Sequence, residues 1–198
     1  MYLKFGFNCI IYDLRGHGEN DPTFTTYGIR EAQDLKALIE DTKKRYPKLT
    51  TLGLHGESLG AATTITSLKY KPEVDFVVAD CGFSDIENVL KTGYANAHLP
   101  TALVDIANLT GKVRYHYSLK AMRPIDSLVD NTIPILFIHG AEDTFILPKN
   151  SEAMAKQTKG YHELHLIPKA GHAMSILMAP QDYQTIVKNY LQKVQTLN

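Results

Sequence analysis

Two rhythms of apolar residues run along this chain. Short continuous apolar runs occupy residues 7–12, 50–55, 74–79, 133–139 and 163–167. Runs of that length without alternation read as strands buried on both faces. Between them, apolar positions recur every three to four residues, the spacing of a helix that buries one face. One such stretch starts near Thr25 or Thr26, either of which can cap it, and runs to about Tyr46 through Ile29, Ala32, Leu35, Leu38 and Ile39. Lys43, Lys44 and Arg45 crowd its end, where cations favour the helix dipole. Further helices are predicted after Gly60 to about Tyr70, over 149–158, and from about Pro180, with Tyr183, Ile186, Val187, Tyr190, Leu191 and Val194 as the last one's apolar face. Strands alternating with helices predict an α/β fold: a mostly parallel sheet with helices on both faces.

Residues 84–130 interrupt this alternation. They hold Ala102-Leu103-Val104-Asp105-Ile106-Ala107 and several aromatics, and read as a mostly helical insertion within one domain spanning 1–198. At the start, Leu3-Lys4-Phe5-Gly6 reads as the last turn of a helix with its glycine cap. A helix represented only by its end implies a chain that begins in mid-domain.

Composition narrows the functional classes. The chain has 198 residues, 44% of them hydrophobic, which suits a sizeable core. Its 21 Lys+Arg balance its 21 Asp+Glu, so there is no electrostatic case for nucleic acid or an anionic membrane. No apolar stretch is long enough for a membrane span. Cys9 and Cys81 make no disulfide framework and read as buried free thiols, which points to a cytoplasmic setting. No Cys/His cluster has metal-ligand spacing, and no cofactor or metal is expected.

The candidate chemistry lies at strand ends. Gly56-Glu57-Ser58-Leu59-Gly60 is a G-x-S-x-G sequence between a predicted strand and a predicted helix. A serine on so tight a turn has its oxygen held clear of the backbone, and the helix N-terminus behind it favours developing negative charge. The flanking glycines are expected to permit the close approach. Serine needs a base. Of eight histidines, His172, in the loop after the last strand, is the one a parallel sheet presents at its active edge. His55 and His139 end strands nearby and read as structural. The base needs an orienting acid. Asp143, in the loop after the fourth strand, is favoured; Asp80, ending the third, is the main rival, and Glu142 a lesser one. Chain order Ser…Asp…His suits either aspartate.

Together these motifs resemble the α/β-hydrolase superfamily, in particular bacterial serine aminopeptidase-like and monoacylglycerol lipase-like esterases. The resemblance rests on Tyr12-Asp13-Leu14-Arg15-Gly16-His17-Gly18, His55-Gly56-Glu57-Ser58-Leu59-Gly60, Ile135-Leu136-Phe137-Ile138-His139-Gly140 through Asp143, and Ala170-Gly171-His172. It implies a serine hydrolase that cleaves carboxylic esters, or peptides and amides, through an acyl-enzyme. Ser58 is then the nucleophile, His172 the base, Asp143 the orienting acid and Leu59 N–H an oxyanion donor. It implies that the 13–18 loop is architectural, with Arg15 and His17 at the site entrance, and that 84–130 takes the place of a short lid.

The resemblance also implies eight strands, of which the chain supplies five. The missing third strand would lie between 7–12 and 50–55, and the loop after it would carry the second oxyanion donor. Each backbone group left orphaned there costs about 1–3 kcal/mol. The expectation is therefore a fragment of a longer chain, or a gap closed by re-pairing, by an oligomer or by a partner strand. The rival function is a truncated, inactive or binding-only hydrolase-like protein.

Overall fold

The computed structural model describes residues 1–197, with side-chain surroundings given as far as Gln195. Four strands form a parallel sheet in the order β1-β2-β3-β4: β1 Gly53–Glu57, β2 Phe76–Asp80, β3 Ile135–Gly140 and β4 His162–Ile167. The two central strands, β2 and β3, are buried at every position, as their unbroken apolar runs require. Their alternate residues feed two cores. Val77, Ala79, Ile135 and Phe137 pack against α1 (Ile29–Arg45), α2 (Leu59–Ser67) and α5 (Lys149–Gln157) through Leu35, Ile39, Ile65 and Met154. Phe76, Val78, Leu136 and Ile138 pack against α7 (Pro180–Leu197), which follows the one-turn α6 (Ser175–Met178), through Tyr183, Val187, Tyr190, Leu191 and Val194. Helices thus cover both faces, as the α/β pattern predicts.

The start of α1 shows how polar residues set a helix boundary. The buried Glu31 carboxylate accepts from the N–H groups of Thr26 and Gly28 and from the Thr26 hydroxyl. Thr26 Oγ1 in turn accepts from Arg30 N–H at 2.8 Å. Donors that a helix start leaves without carbonyl partners are satisfied here by side chains.

Two expectations are corrected. The run 7–12 is not a fifth strand: it lies alongside no ladder, with Ile11 93% exposed. Apolar content makes a strand only where a neighbour takes up its backbone N–H and C=O groups. Among the described residues no strand pairs with the outer side of β1, and no re-pairing closes that edge. Accordingly β1 carries alternating burial, with His55 and Glu57 exposed. Cys9 follows its segment and is exposed, whereas Cys81 is buried.

The beginning of the chain does form a helical turn, a 3-10 helix over Tyr2–Phe5 closed by Gly6 in the left-handed region (φ 86°). This turn folds onto the sheet: Tyr2 OH lies 2.8 Å from His55 Nδ1, and Phe7 packs edge-to-face on Phe76. Within 84–130 lie α3 (Ile86–Asn96), α4 (Ala102–Tyr115) and two short 3-10 turns. They share a third apolar cluster, including Phe83, Ile86, Val104, Leu119 and Met122, with Ala62 of α2 and Ile146.

Candidate active site

Parallel pairing brings all four strand ends with following loops to one edge. Ser58 sits between β1 and α2 with φ 51° and ψ −113°. No L-residue adopts that conformation without cost, about 1–3 kcal/mol, and such strain persists only where the surroundings impose it. One constraint is Ser58 N–H, which donates to Asp80 O at 2.9 Å. Another is Gly56, where an added Cβ would stand 2.2 Å from Gly60 C and 2.3 Å from Gly60 O. The two flanking glycines are not equivalent, contrary to expectation: a Cβ on Gly60 would meet nothing within 4 Å. Leu59 opens α2, so its N–H has no carbonyl one turn back to bond.

Ser58 Oγ lies 2.9 Å from His172 Nε2, and His172 Nδ1 lies 2.7 Å from Asp143 Oδ2. Residues separated by 114 positions in sequence are thereby in hydrogen-bond contact. Nδ1 facing a carboxylate carries the proton, so Nε2 presents its lone pair to the serine hydroxyl. The other oxygen of Asp143, Oδ1, accepts from the N–H groups of Phe145 and Ile146, both at 2.9 Å. The acid and base loops are sewn together by Ala141 N–H to Ile167 O and Glu142 N–H to Ala170 O, both 2.9 Å. His172 keeps 23% of its side chain exposed while Asp143 has none. An imidazole open to solvent beside a sealed carboxylate is an arrangement that can pass a proton.

The rival acid stands elsewhere. Asp80 is buried beside Ser175 and Tyr183, with Ser175 Oγ 3.4 Å from its Oδ1. Burial, reinforced by the nearby Glu57 charge, pushes its carboxyl up to about 6. Arg15 points to α1, where its guanidinium makes two hydrogen bonds to Asp34, and His17 Nδ1 lies 2.9 Å from Arg15 O. The 13–18 loop is tied together by such contacts, in keeping with an architectural role.

Two residues beside the site were not singled out by spacing. Phe145 sets its ring edge-on to His172 at 5.0 Å, and nothing in its sequence context marks it. His139, which reads as structural, has its Nε2 3.2 Å from Asp143 Oδ2. The signal available was a histidine ending an otherwise apolar, doubly buried run, since a buried imidazole must find polar partners.

Residues 1–196 match the prolyl oligopeptidase family. The chain belongs to that family. The α/β-hydrolase assignment made on the motifs agrees with it. YqkD, an uncharacterised protein of Bacillus subtilis (strain 168), is 30% identical over 195 residues; the match covers 96% of this chain and 64% of that protein. The chain therefore spans less than two thirds of that relative's length. Among solved structures, the Pyrococcus furiosus esterase Pf2001 superposes with a TM-score of 0.75 at 26% identity, over 96% of this chain and 72% of that one. A lipase-esterase related protein from Clostridium acetobutylicum gives 0.67 at 18% identity, over 93% and 84%. The latter likeness speaks for the fold alone.

Proposed function

We propose that this prolyl oligopeptidase family chain is a serine hydrolase that cleaves carboxylic esters through an acyl-enzyme. One observation carries the reading: Ser58, His172 and Asp143 stand in an unbroken chain of 2.9 and 2.7 Å contacts. In the first half-reaction Ser58 Oγ attacks the ester carbonyl while His172 Nε2 takes its proton. Asp143 holds the imidazole in the required tautomer and offsets its charge. Leu59 N–H, at the positive end of α2, supports the oxyanion. Collapse of the tetrahedral adduct expels the alcohol, which receives the proton from His172. Water then repeats the sequence on the acyl-serine and frees the acid. In this reading the helices over 84–130 are the lid; their apolar cluster takes in Leu59, the residue after Ser58, and Ile146 of the Asp143 loop.

A peptide or amide substrate is the second reading, favoured by the family to which the chain belongs. The two share every residue and differ in the leaving group that His172 must protonate.

A fluorophosphonate probe tests the reading. Labelling that disappears in Ser58→Ala supports it, and a folded chain that never labels refutes it in favour of a binding-only protein. Rates on a p-nitrophenyl ester series, set against peptide p-nitroanilides, then separate ester from amide cleavage.

A further inference from the structure

We infer that His139 is a positioning residue for Asp143, and through it sets the basicity of His172. The inference rests on the proposed triad and adds a fourth member to it. His139 is the last residue but one of β3 and is fully enclosed. Its Nε2 lies 2.7 Å from Ile146 O and 3.2 Å from Asp143 Oδ2. Both oxygens can only accept, so Nε2 carries the ring proton. Its Nδ1, 2.7 Å from Ser151 Oγ on α5, then accepts from that hydroxyl. Burial pushes the imidazole below its ordinary range, so the ring stays neutral at neutral pH.

One tautomer of a neutral ring therefore turns its N–H dipole on the acid loop. The N–H bonds the carbonyl of Ile146, whose own N–H bonds Asp143 Oδ1. Its positive end also lies beside Oδ2, the same oxygen that takes His172. The consequence is electrostatic. A donor beside Oδ2 draws off part of the charge that would stabilise the His172 imidazolium. Without it the carboxylate pulls harder on the proton, and His172 becomes more basic and less often free to act. Asp80 at the end of β2 interacts with the His172 charge and with Glu57 at the end of β1, Cys81 interacts with both carboxylates, and substitutions at position 139 leave all three in place.

Two variants separate this role from simple packing. The amide nitrogen of His139→Gln reaches the place of Nε2 and keeps a donor towards Asp143. His139→Asn reaches only the place of Nδ1 and loses that donor. The measurements are ring-nitrogen NMR of the wild-type chain and both variants, and the pH profile of fluorophosphonate labelling. The wild type is expected to show His139 as a non-titrating Nε2–H ring. His139→Asn is expected to raise the His172 midpoint and to slow labelling at neutral pH by about tenfold, the scale of one charge-facing hydrogen bond. His139→Gln is expected to restore both. An Nδ1–H ring in the wild type overturns the inference, as does a folded His139→Asn with an unchanged His172 midpoint. Should neither variant fold, the wild-type tautomer decides the matter alone. A wild type that never labels sinks the hydrolase reading instead, while the NMR signals still report on His139.

Discussion

Gly140 is the position where a single methyl group should separate the acid from the base. It is the last residue of β3, three before Asp143. A Cβ added there would stand 2.4 Å from Ala170 O and 2.5 Å from Gly171 O. Real Cβ atoms essentially never come within 3.0 Å of such atoms, and both obstacles are backbone, so a loop has to move by more than half an ångström. Ala170 O accepts the Glu142 N–H that sews the acid loop to the base loop. Gly140→Ala therefore wedges the two loops apart at their seam. Overpacking of this kind costs about 1–3 kcal/mol. For a chain of this size that is a fall in Tm of roughly 2–12 °C. The rate should suffer more than the fold, because a displacement of about 1 Å in a catalytic group can cost about a hundredfold. The assay is p-nitrophenyl acetate hydrolysis beside thermal melting, with Gly171→Ala as the control. That residue adjoins His172, yet an added Cβ there meets nothing within 4 Å and its φ is not in the left-handed region. It should melt and turn over as the wild type does. If Gly140→Ala matches the wild type in both, or the two variants are equally impaired, the packing argument fails.

Three further outcomes are expected. Asp143→Asn should fold but lose about four orders of magnitude in kcat, since an amide nitrogen facing His172 Nδ1 inverts the useful tautomer; a loss under tenfold would return Asp80 to contention. Asp80 has a folded-state pKa raised from 3.8 to about 6 by burial first and by Glu57 second, so its charged form is disfavoured in the fold. Its contribution is then harmless below about pH 4 and costs stability as pH rises to about 6, by about 3 kcal/mol in all. Asp80→Asn should remove that slope, and denaturant midpoints at pH 4 and pH 7 that move together in both proteins would count against it. Gly60→Ala should raise Tm slightly, because a helical glycine with open space around it costs about 0.5–1 kcal/mol relative to alanine, whereas Gly56→Ala should lower Tm or prevent folding; equal effects would contradict the asymmetry of the elbow.

How much of this was legible in the chain differs by element. The doubly buried β2 and β3 were readable because a continuous apolar run has few other destinations, and α1 and α7 because their apolar faces keep helical spacing. The candidate triad was readable because its residue types recur in order at strand ends, and a parallel sheet gathers those ends at one edge. The chain favours Asp143 over Asp80 as the candidate acid, and in the fold Asp143 Oδ2 meets His172 Nδ1 while Asp80 lies beside Ser175.

Burial pattern and side-chain chemistry are written position by position, so the alternation, the two-sided core and the three candidate residue types could be read from the chain alone. Tertiary structure decided the rest. The 7–12 run is as apolar as a strand, yet pairing is a property of two segments, and no strand among the described residues pairs with it. Gly56 and Gly60 are the same residue in one motif, and only the backbone passing close to one of them tells them apart. His139 looks like any histidine at the end of a strand until folding carries the Asp143 loop back over it. The first distinction depends on whether another segment lies alongside; the other two depend on turns that close within four residues, Gly60 against Gly56 and Asp143 against His139, whose backbone path the residue types alone do not specify.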